Sequence, residues 1–303
     1  MTRVTRALDS DLMYSFRRTP GAMIAAALSC ALILGAVLAP VIAPHDPFDP
    51  SGLSILDNFL PPAWDAAGDP RFLLGTDDQG RDLLSAMLYG LRVSLAVGFA
   101  SVIFALILGV TLGLIAGYAG GWADNLIMRA ADIQMTFPAI LIALLLAGIF
   151  RGTAAQGASG AGPLALLVFS IGLSFWVQYA RTVRGSVLIE ANREYVLAAR
   201  LIGISAPAIL IRHILPNVMG PVLVIATINL ALAIIIEATL SFLGVGVPPG
   251  SPSLGTLIRV GNDYLFSGEW WITLFPGAVL GVLALSVNLF GDWLRDALNP
   301  RLG

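Results

Sequence analysis

The feature that most constrains this chain is a series of six long runs of mostly apolar residues. A helix that crosses a lipid bilayer needs about 20 consecutive, predominantly apolar residues. Lipid offers the backbone no hydrogen-bond partners, so spans of this composition form helices. The runs are residues 21–43, 93–117, 127–150, 163–180, 218–243 and 271–290. They predict an all-α membrane protein with about six transmembrane helices.

The third run is the least regular of the six. It contains Arg129, Asp132 and Gln134, and Pro138 lies near its middle. Because proline interrupts the hydrogen bonds of a helix, we expect a short amphipathic helix before Pro138 and the membrane span after it. Asp124 and Asp132 flank the short helix and are expected to be solvated.

Composition excludes several classes of function. The chain is 57% hydrophobic and 12% charged, whereas about 25% of the residues in soluble domains are charged. The net charge of −2 gives no electrostatic support for nucleic-acid binding. All 17 basic residues are arginine, and a phosphate-binding P-loop requires a lysine. If the protein uses ATP, another chain must therefore bind it.

The distribution of arginine predicts the orientation in the membrane, because cytoplasmic loops carry an excess of basic residues. With a cytoplasmic N-terminus, five of the 17 arginines lie outside and the remainder lie inside, and the opposite orientation inverts this ratio. The five are Arg71, Arg81, Arg92, Arg151 and Arg259. Both termini are therefore expected in the cytoplasm.

The segment 44–92 is predicted to be an extracytoplasmic loop. Apolar residues at helical spacing between positions 77 and 91 predict a short amphipathic helix on the membrane surface, before the second span. Its charged residues allow two interpretations, an ion-pair network or a face for an external partner. They are Asp77, Asp78, Arg81 and Asp82, with Arg92 at the far end.

The segment 181–216 is predicted to form a helix–turn–helix elbow in the cytoplasm. Apolar residues between positions 187 and 202 recur at helical spacing and predict a first helix. Gly203 follows it, as the left-handed glycine that commonly ends a helix does. Ser205 and Pro207 predict the N-cap and first turn of a second helix over 208–215, which ends before Pro216.

This periodicity leaves two functions open for the elbow. Two short helices joined at a tight turn can fit a groove on a partner and transmit its motion to the membrane helices. An ordinary amphipathic loop resting on the lipid surface has the same pattern.

The elbow resembles the "EAA" loop of ABC importer permeases. In that loop two alanines are followed, after three residues, by glycine, and a Leu-Pro pair ends the motif. This chain has Ala198 and Ala199, then Gly203, then Leu215 and Pro216. Leu197 occupies the position of the family's glutamate, so the charge of that site is absent here.

The resemblance extends over nearly the whole chain. The segments that carry it read FRRTPGAMI, LGTDDQGRDLLSAMLYGLRVSLAVG, GYAGGWADNLIMRAADIQMTFPAILIALLLAGIF and EATLSFLGVGVPPGSPSLG. Together they are similar to the C-type inner-membrane subunit of the dipeptide, oligopeptide and nickel permeases.

The resemblance implies a function and a set of partners. The chain would be one permease subunit of an ATP-driven importer of dipeptides or short oligopeptides in the bacterial cytoplasmic membrane. A second homologous permease, two ATP-binding subunits that hold the ATP and Mg²⁺, and an extracytoplasmic substrate-binding protein would complete it. The implied ATPase-coupling residues are Glu190, Glu194, Tyr195, Ala198, Ala199, Arg200, Gly203, Ser205, Arg212, His213 and Pro216.

Glu237 is the acid that lies within a predicted span. A carboxylate there is a functional candidate by default, but a hydrogen-bonding, architectural role near the outer interface is favoured. A proton-coupled transporter would need paired acids or histidines within its spans and inverted repeats, and the sequence shows neither. His45 and His213 are expected on opposite sides, which excludes a shared metal, and no catalytic motif is present. Import of nickel chelates or glutathione stays open.

These expectations divide the chain into three parts. Residues 1–43 form an N-terminal segment with the first span, and 44–92 form the external loop. Residues 93–303 form a core of five spans that carries the coupling loop 181–216.

Overall fold

The computed structural model describes residues 11–49, 54–154, 161–247 and 251–297. Nearly all of the described chain is helical, and its β-structure is limited to an isolated bridge between Thr76 and Asp82. The predicted all-α class is confirmed. Five helices are long and apolar enough to cross a membrane, and a bent pair makes a sixth span if it is counted as one.

The N-terminal part consists of three helices in sequence. They are α1 (Asp11–Arg18), α2 (Pro20–Val37) and the short α3 (Ala39–Ile42). Pro20 is in the first turn of α2, where its missing N–H costs no hydrogen bond. The helix α2 is the first span and packs on α4 (Leu83–Ala119) and α12 (Trp271–Ala297).

The helix α4 is continuous over 37 residues and includes the second span. The separate surface helix predicted over 77–91 is therefore wrong. Asp82 ends the preceding turns and caps α4, because its carboxylate accepts a hydrogen bond from the backbone N–H of Ser85 at 2.9 Å. At the start of α4, Leu83, Ser85, Ala86 and Met87 are buried against the bundle and do not lie on a membrane surface.

Pro138 divides the third apolar run as predicted. The helices α5 (Gly121–Met135) and α6 (Ala139–Ala154) meet there at an angle of 94°. Asp132 is exposed, as expected, whereas Asp124 is half-buried, so the expectation that it is solvated is wrong. Arg184 binds Asp124 through two nitrogens, and Arg181 pairs with Asp132, so α5 is attached to α7 (Ala161–Glu190).

The elbow contains two short helices, and its boundaries differ from those predicted. The span α7 continues to Glu190, and a turn separates it from α8 (Glu194–Leu201). Residues 187 and 189 therefore belong to the span, whereas a single helix was predicted from 187 to 202.

The second elbow helix is continuous with the fifth span, so the prediction that it ends before Pro216 is wrong. After α9 (Ala206–Ile209), a π-helical turn over Leu210–Ile214 leads directly into α10 (Leu215–Phe242). In that turn the N–H of Leu215 donates to the carbonyl of Leu210, five residues back. Proline clashes with the carbonyl four residues before it in an α-helix, and the wider π turn relieves this clash at Pro216.

The bundle is completed by α11 (Leu254–Tyr264) and α12. Ser253 and Thr256 form a capping box at the start of α11, which satisfies two N–H groups of its first turn. The indole N–H of Trp271 donates to the carbonyl of Thr76 at 3.1 Å. This contact attaches α12 to the segment before α4. The side of the bundle that carries residues 54–82 is called the loop side, and the opposite side is called the elbow side.

The core of the bundle is the close pair α4 and α7. Three glycines spaced four apart, Gly109, Gly113 and Gly117, lie on one face of α4 and touch α7. A Cβ at Gly113 would lie 2.6 Å from the carbonyl oxygen of Ala180. Such small-residue faces let membrane helices approach closely and associate by packing.

The close approach predicts that Gly109→Ala destabilises the isolated chain. Its Cβ would lie 2.4 Å from the carbonyl oxygen of Trp176 and 2.6 Å from the Cβ of Tyr179, and overpacking of this kind costs about 1–3 kcal/mol. Gly148→Ala is the matched control, since no atom lies within 4 Å of its added carbon. In thermal unfolding measured in detergent, Gly109→Ala should have a lower midpoint than the parent protein, and Gly148→Ala should not. Equal midpoints for the two variants would contradict the packing.

Candidate functional site

Gly203 forms the turn of the elbow in the left-handed conformation, with φ of 80°. The N–H of Ile204 donates to the carbonyl of Ala199, and that of Gly203 donates to Arg200. These two bonds are the Schellman arrangement that ends many helices. An added Cβ would meet no atom within 4 Å, so the backbone conformation, and not space, favours glycine here.

Tyr195 joins the elbow to the two membrane helices beside it. Its hydroxyl donates to Glu190 Oε2 at 2.7 Å, at the end of α7. The Nδ2 of Asn217, in α10, donates to the Tyr195 hydroxyl at 2.9 Å and to the carbonyl of His213 at 2.8 Å. The ring of His213 lies 6.4 Å from that of Tyr195. These hydrogen bonds connect α8 to α7 and α10.

The Tyr195 phenol is the hydrogen-bond donor to Glu190. Partial burial, followed by the hydrogen bond to Glu190, raises the pKa of Tyr195 above its usual value. The phenol therefore keeps its proton at neutral pH and can donate it to the carboxylate. Arg193 Nε lies 3.6 Å from Glu190 Oε1 and adds a weaker contact at the same corner.

One face of the elbow is buried in the bundle. Val196 and Ile214 are fully buried, and Ala199 and Ile209 nearly so, all within the main apolar core. The guanidinium of Arg200 lies 4.8 Å above the ring of Tyr118, a cation–π distance that connects α8 to the end of α4. The elbow is thus seated on three long helices.

The opposite face of the elbow is apolar and exposed. Its exposed fractions are 88% for Leu201, 76% for Ile202, 62% for Ile211 and 44% for Leu197. Large exposed apolar side chains on one short element are a candidate interaction surface. Leu201, Ile202, Ile211 and Asn217 were not among the coupling residues predicted from the sequence. Apolar residues flanking a glycine turn were the signal that could have identified the first three.

The other predicted coupling residues lie around this face. Glu194, Ala198, Ser205, Arg212 and Pro216 are exposed. Ser205 occupies the N-cap position of α9, but its side chain makes no capping hydrogen bond. These positions are consistent with contact to a partner, and their coupling role stays a prediction.

The charged residues on the loop side form a buried network. Arg81 Nε lies 2.6 Å from Asp77 Oδ2, and both side chains are almost completely buried. Asp82 is also buried and caps α4. This burial favours the ion-pair network over the partner-binding face for these three residues.

Asp78 is the member of that group with partial exposure. Burial, and then the neighbouring charge of Asp77, raise the pKa of Asp78, while the charges of Arg81 and Arg259 oppose the shift. An external contact through Asp78 stays a prediction. Arg92, at the far end, is exposed and is not part of the ion pair.

Glu237 is fully buried where α10 meets α4. Its Oε2 accepts a hydrogen bond from Ser94 at 2.6 Å, and its Oε1 accepts one from Ser241 at 2.7 Å. A buried carboxylate needs such partners; the bond from Ser94 joins α10 to α4, and the bond from Ser241 lies within α10. The geometry favours the architectural interpretation.

Comparison with known proteins identifies the chain's relatives. Residues 109–303 match the family of binding-protein-dependent transport system inner membrane components. The chain belongs to this family. Residues 10–62 match the N-terminal transmembrane domain of oligopeptide transport permease C, which confirms the resemblance derived from the sequence. The chain is therefore a non-catalytic permease component with several membrane-spanning helices.

Relatives of this permease align over almost its whole length. The dipeptide transport system permease protein DppC of Haemophilus influenzae is 38% identical over 292 residues, 96% of this chain and 94% of its own. The di/tripeptide transport system permease protein DppC of Pseudomonas aeruginosa is 39% identical over 306 residues, 98% and 96% of the two chains. The DppC protein of Escherichia coli K12 is 40% identical over 96% of this chain and 93% of its own.

A solved structure shares the fold. An inward-facing structure of the MetNI methionine ABC transporter matches 71% of this permease and 96% of its own chain, with a TM-score of 0.53 and 19% identity. At that identity the match supports the fold alone.

Proposed function

We propose that this permease is one membrane subunit of an ATP-driven importer that moves dipeptides or short oligopeptides into the bacterial cytoplasm. Three relatives named for dipeptides or di- and tripeptides align over at least 96% of this chain, which supports the substrate class. Nickel chelates and glutathione are less favoured, because these three relatives are named for dipeptides or for di- and tripeptides. A secondary transporter is disfavoured by the family membership.

The elbow is the proposed docking surface for an ATP-binding subunit. The observation that carries this proposal is the exposed apolar face of Leu197, Leu201, Ile202 and Ile211, set on a base that is buried in the bundle. A surface patch of this kind binds by burying apolar area. The Tyr195 hydrogen bonds and the Arg200 contact then carry its displacement to α7, α10 and α4.

The remaining subunits follow from the same proposal. A second homologous permease chain would enclose the translocation pathway with this one, and two ATP-binding subunits would hold ATP and Mg²⁺. An extracytoplasmic binding protein would deliver the peptide on the loop side. The chain has no lysine, so a P-loop cannot be formed from its own residues.

The test of this function is uptake of a radiolabelled dipeptide by proteoliposomes that contain the complete importer. We expect ATP-dependent uptake that requires this subunit, and no ATP hydrolysis by the purified subunit alone. Uptake of a nickel chelate or glutathione in preference to dipeptides would change the substrate class. ATP hydrolysis by the chain alone would contradict the proposal that separate subunits bind and hydrolyse ATP.

The proposed orientation places both termini and the elbow in the cytoplasm. A cysteine at position 205, on a Cys30→Ser background, should be protected from an impermeant maleimide in intact cells, and a cysteine at position 65 should be labelled. Both positions are exposed on the protein, so protection reports the side of the membrane. Labelling at 205 with protection at 65 would invert the orientation.

A further inference from the structure

A groove of about 470 Å³ opens between α4 and α7 on the loop side. Arg92, Ala96 and Ala100 line it at intervals of four residues, so they lie along one face of α4. Val168 of α7 forms part of the opposite wall. The small alanine side chains leave the open space. Arg92 is the one charged residue in the lining.

The end of the groove nearest the loop side is aromatic as well as basic. Tyr89, three residues before Arg92 on the same helix, and Phe48 both line it. Their rings meet edge to face at 5.1 Å. Arg92 is exposed and forms no ion pair with any residue that the structure describes. Tyrosine beside arginine is typical of the level where lipid headgroups lie.

The depth of Arg92 can be measured against the charges on the elbow side. Gly113 of α4 lies level with Ala180 of α7, next to Arg181 and its partner Asp132. From Arg92 to Gly113 the helix rises about 32 Å at 1.5 Å per residue. The hydrocarbon core of a bilayer is about 30 Å thick. The two charged levels therefore bracket one hydrocarbon core, and Arg92 lies at its boundary on the loop side.

The groove has the length of an acyl chain within one leaflet. It descends from Arg92 to Ala100, about 12 Å along the helix, and a leaflet contributes about 15 Å of hydrocarbon. Its walls below Arg92 are apolar. They are formed by Val93, Val97 and Leu164 together with Ala96, Ala100 and Val168. An arginine at headgroup depth above an apolar channel is complementary to a phosphate that carries an acyl chain.

We propose that this groove binds a phospholipid of the leaflet on the loop side. The lipid phosphate would pair with Arg92, and one acyl chain would lie against Ala96, Ala100 and Val168. Because the lining carries a single positive charge, a net negative headgroup such as that of phosphatidylglycerol binds better than zwitterionic phosphatidylcholine. The lipid fills the outer part of the α4–α7 contact, beyond the glycines that join these helices on the elbow side.

The experiment uses a cysteine midway along the groove as its reporter. The reporter is Ala96→Cys on a Cys30→Ser background. The full chain is purified in detergent together with the subunits that copurify, and the cysteine is then labelled with a membrane-soluble maleimide. We expect added phosphatidylglycerol to slow the labelling, and Arg92→Gln to require about fivefold more of this lipid for the same protection. The factor corresponds to about 1 kcal/mol for one arginine near an anionic surface.

Two controls separate the site from general effects. Arg129→Gln makes the same change at an exposed arginine outside the groove and should leave protection unchanged. Ala100→Phe fills the groove while keeping Arg92, and should abolish the protective effect of phosphatidylglycerol. Normal yield and thermal midpoint of each variant show that it is folded.

Several results would overturn the assignment. Equal protection of Arg92→Gln and of the parent protein by phosphatidylglycerol would show that Arg92 does not bind the lipid phosphate. Protection by inorganic phosphate or by a dipeptide at the same concentrations would assign the groove to a soluble ligand. Protection that persists in lipid-free detergent would show that another protein chain covers it.

Discussion

Leu201→Asp is expected to abolish ATP-dependent peptide uptake while the subunit still folds and inserts. Leu201 is 88% exposed, so aspartate at this position costs the isolated subunit little. In the proposed complex the same position is buried against the ATP-binding subunit, where an unpaired carboxylate is costly to desolvate. Burial of a leucine side chain contributes about 1.5–3 kcal/mol, and a loss of about 2 kcal/mol corresponds to about thirtyfold weaker association.

The measurement compares copurification of the ATP-binding subunit, and uptake, for Leu201→Asp and Leu201→Met. Methionine preserves the apolar contact and should retain most of both. Membrane abundance should be equal for the two variants, since neither changes the buried base of the elbow. Retention of the ATP-binding subunit by Leu201→Asp would place the docking surface elsewhere on the permease.

Gly203→Val is the second substitution with a large expected effect, and it acts through the backbone. Gly203 has a φ of 80°, a conformation that costs a residue with a Cβ about 1–2 kcal/mol. No neighbouring atom obstructs the added side chain, so the strain is confined to the turn. The angle between α8 and α9 should change, and with it the shape of the apolar face. We expect normal membrane abundance, strongly reduced uptake and ATP hydrolysis that no longer responds to substrate.

Gly203→Asn is the matched control for this turn. Asparagine adopts the left-handed region more readily than other residues that carry a Cβ, so it adds a side chain at the same place with less strain. Coupling should be largely retained in Gly203→Asn and lost in Gly203→Val. Equal coupling in both variants, at the level of the parent protein, would show that the turn is a passive connection.

Features encoded by neighbouring residues could be predicted from the sequence. The long apolar runs define the spans, Pro138 produces the bend between α5 and α6, and Gly203 produces the elbow turn. Each depends on backbone chemistry or hydrophobic composition over a few consecutive residues, which does not require knowledge of distant contacts.

Helix boundaries near the membrane surface were less predictable. Residues 77–82 have the composition of a helix start, yet α4 begins at Leu83, because the preceding charges turn inward and Asp82 caps the helix. Pro216 has the appearance of a helix end, yet a π turn before it allows the helix to continue. In both cases the local pattern favoured the wrong boundary, and hydrogen bonds set by the three-dimensional packing decided the observed one.

The sequence by itself determined that this chain crosses the membrane several times, that it cannot form a P-loop, and that it carries an elbow between two spans. Only the tertiary structure decided which elbow residues are buried and which are exposed. It also joined Tyr195 to Glu190 and Asn217, paired Arg184 with Asp124, and opened the groove below Arg92. The physical reason is that these contacts join separate helices, and periodicity along one helix does not specify the neighbour that each face will meet.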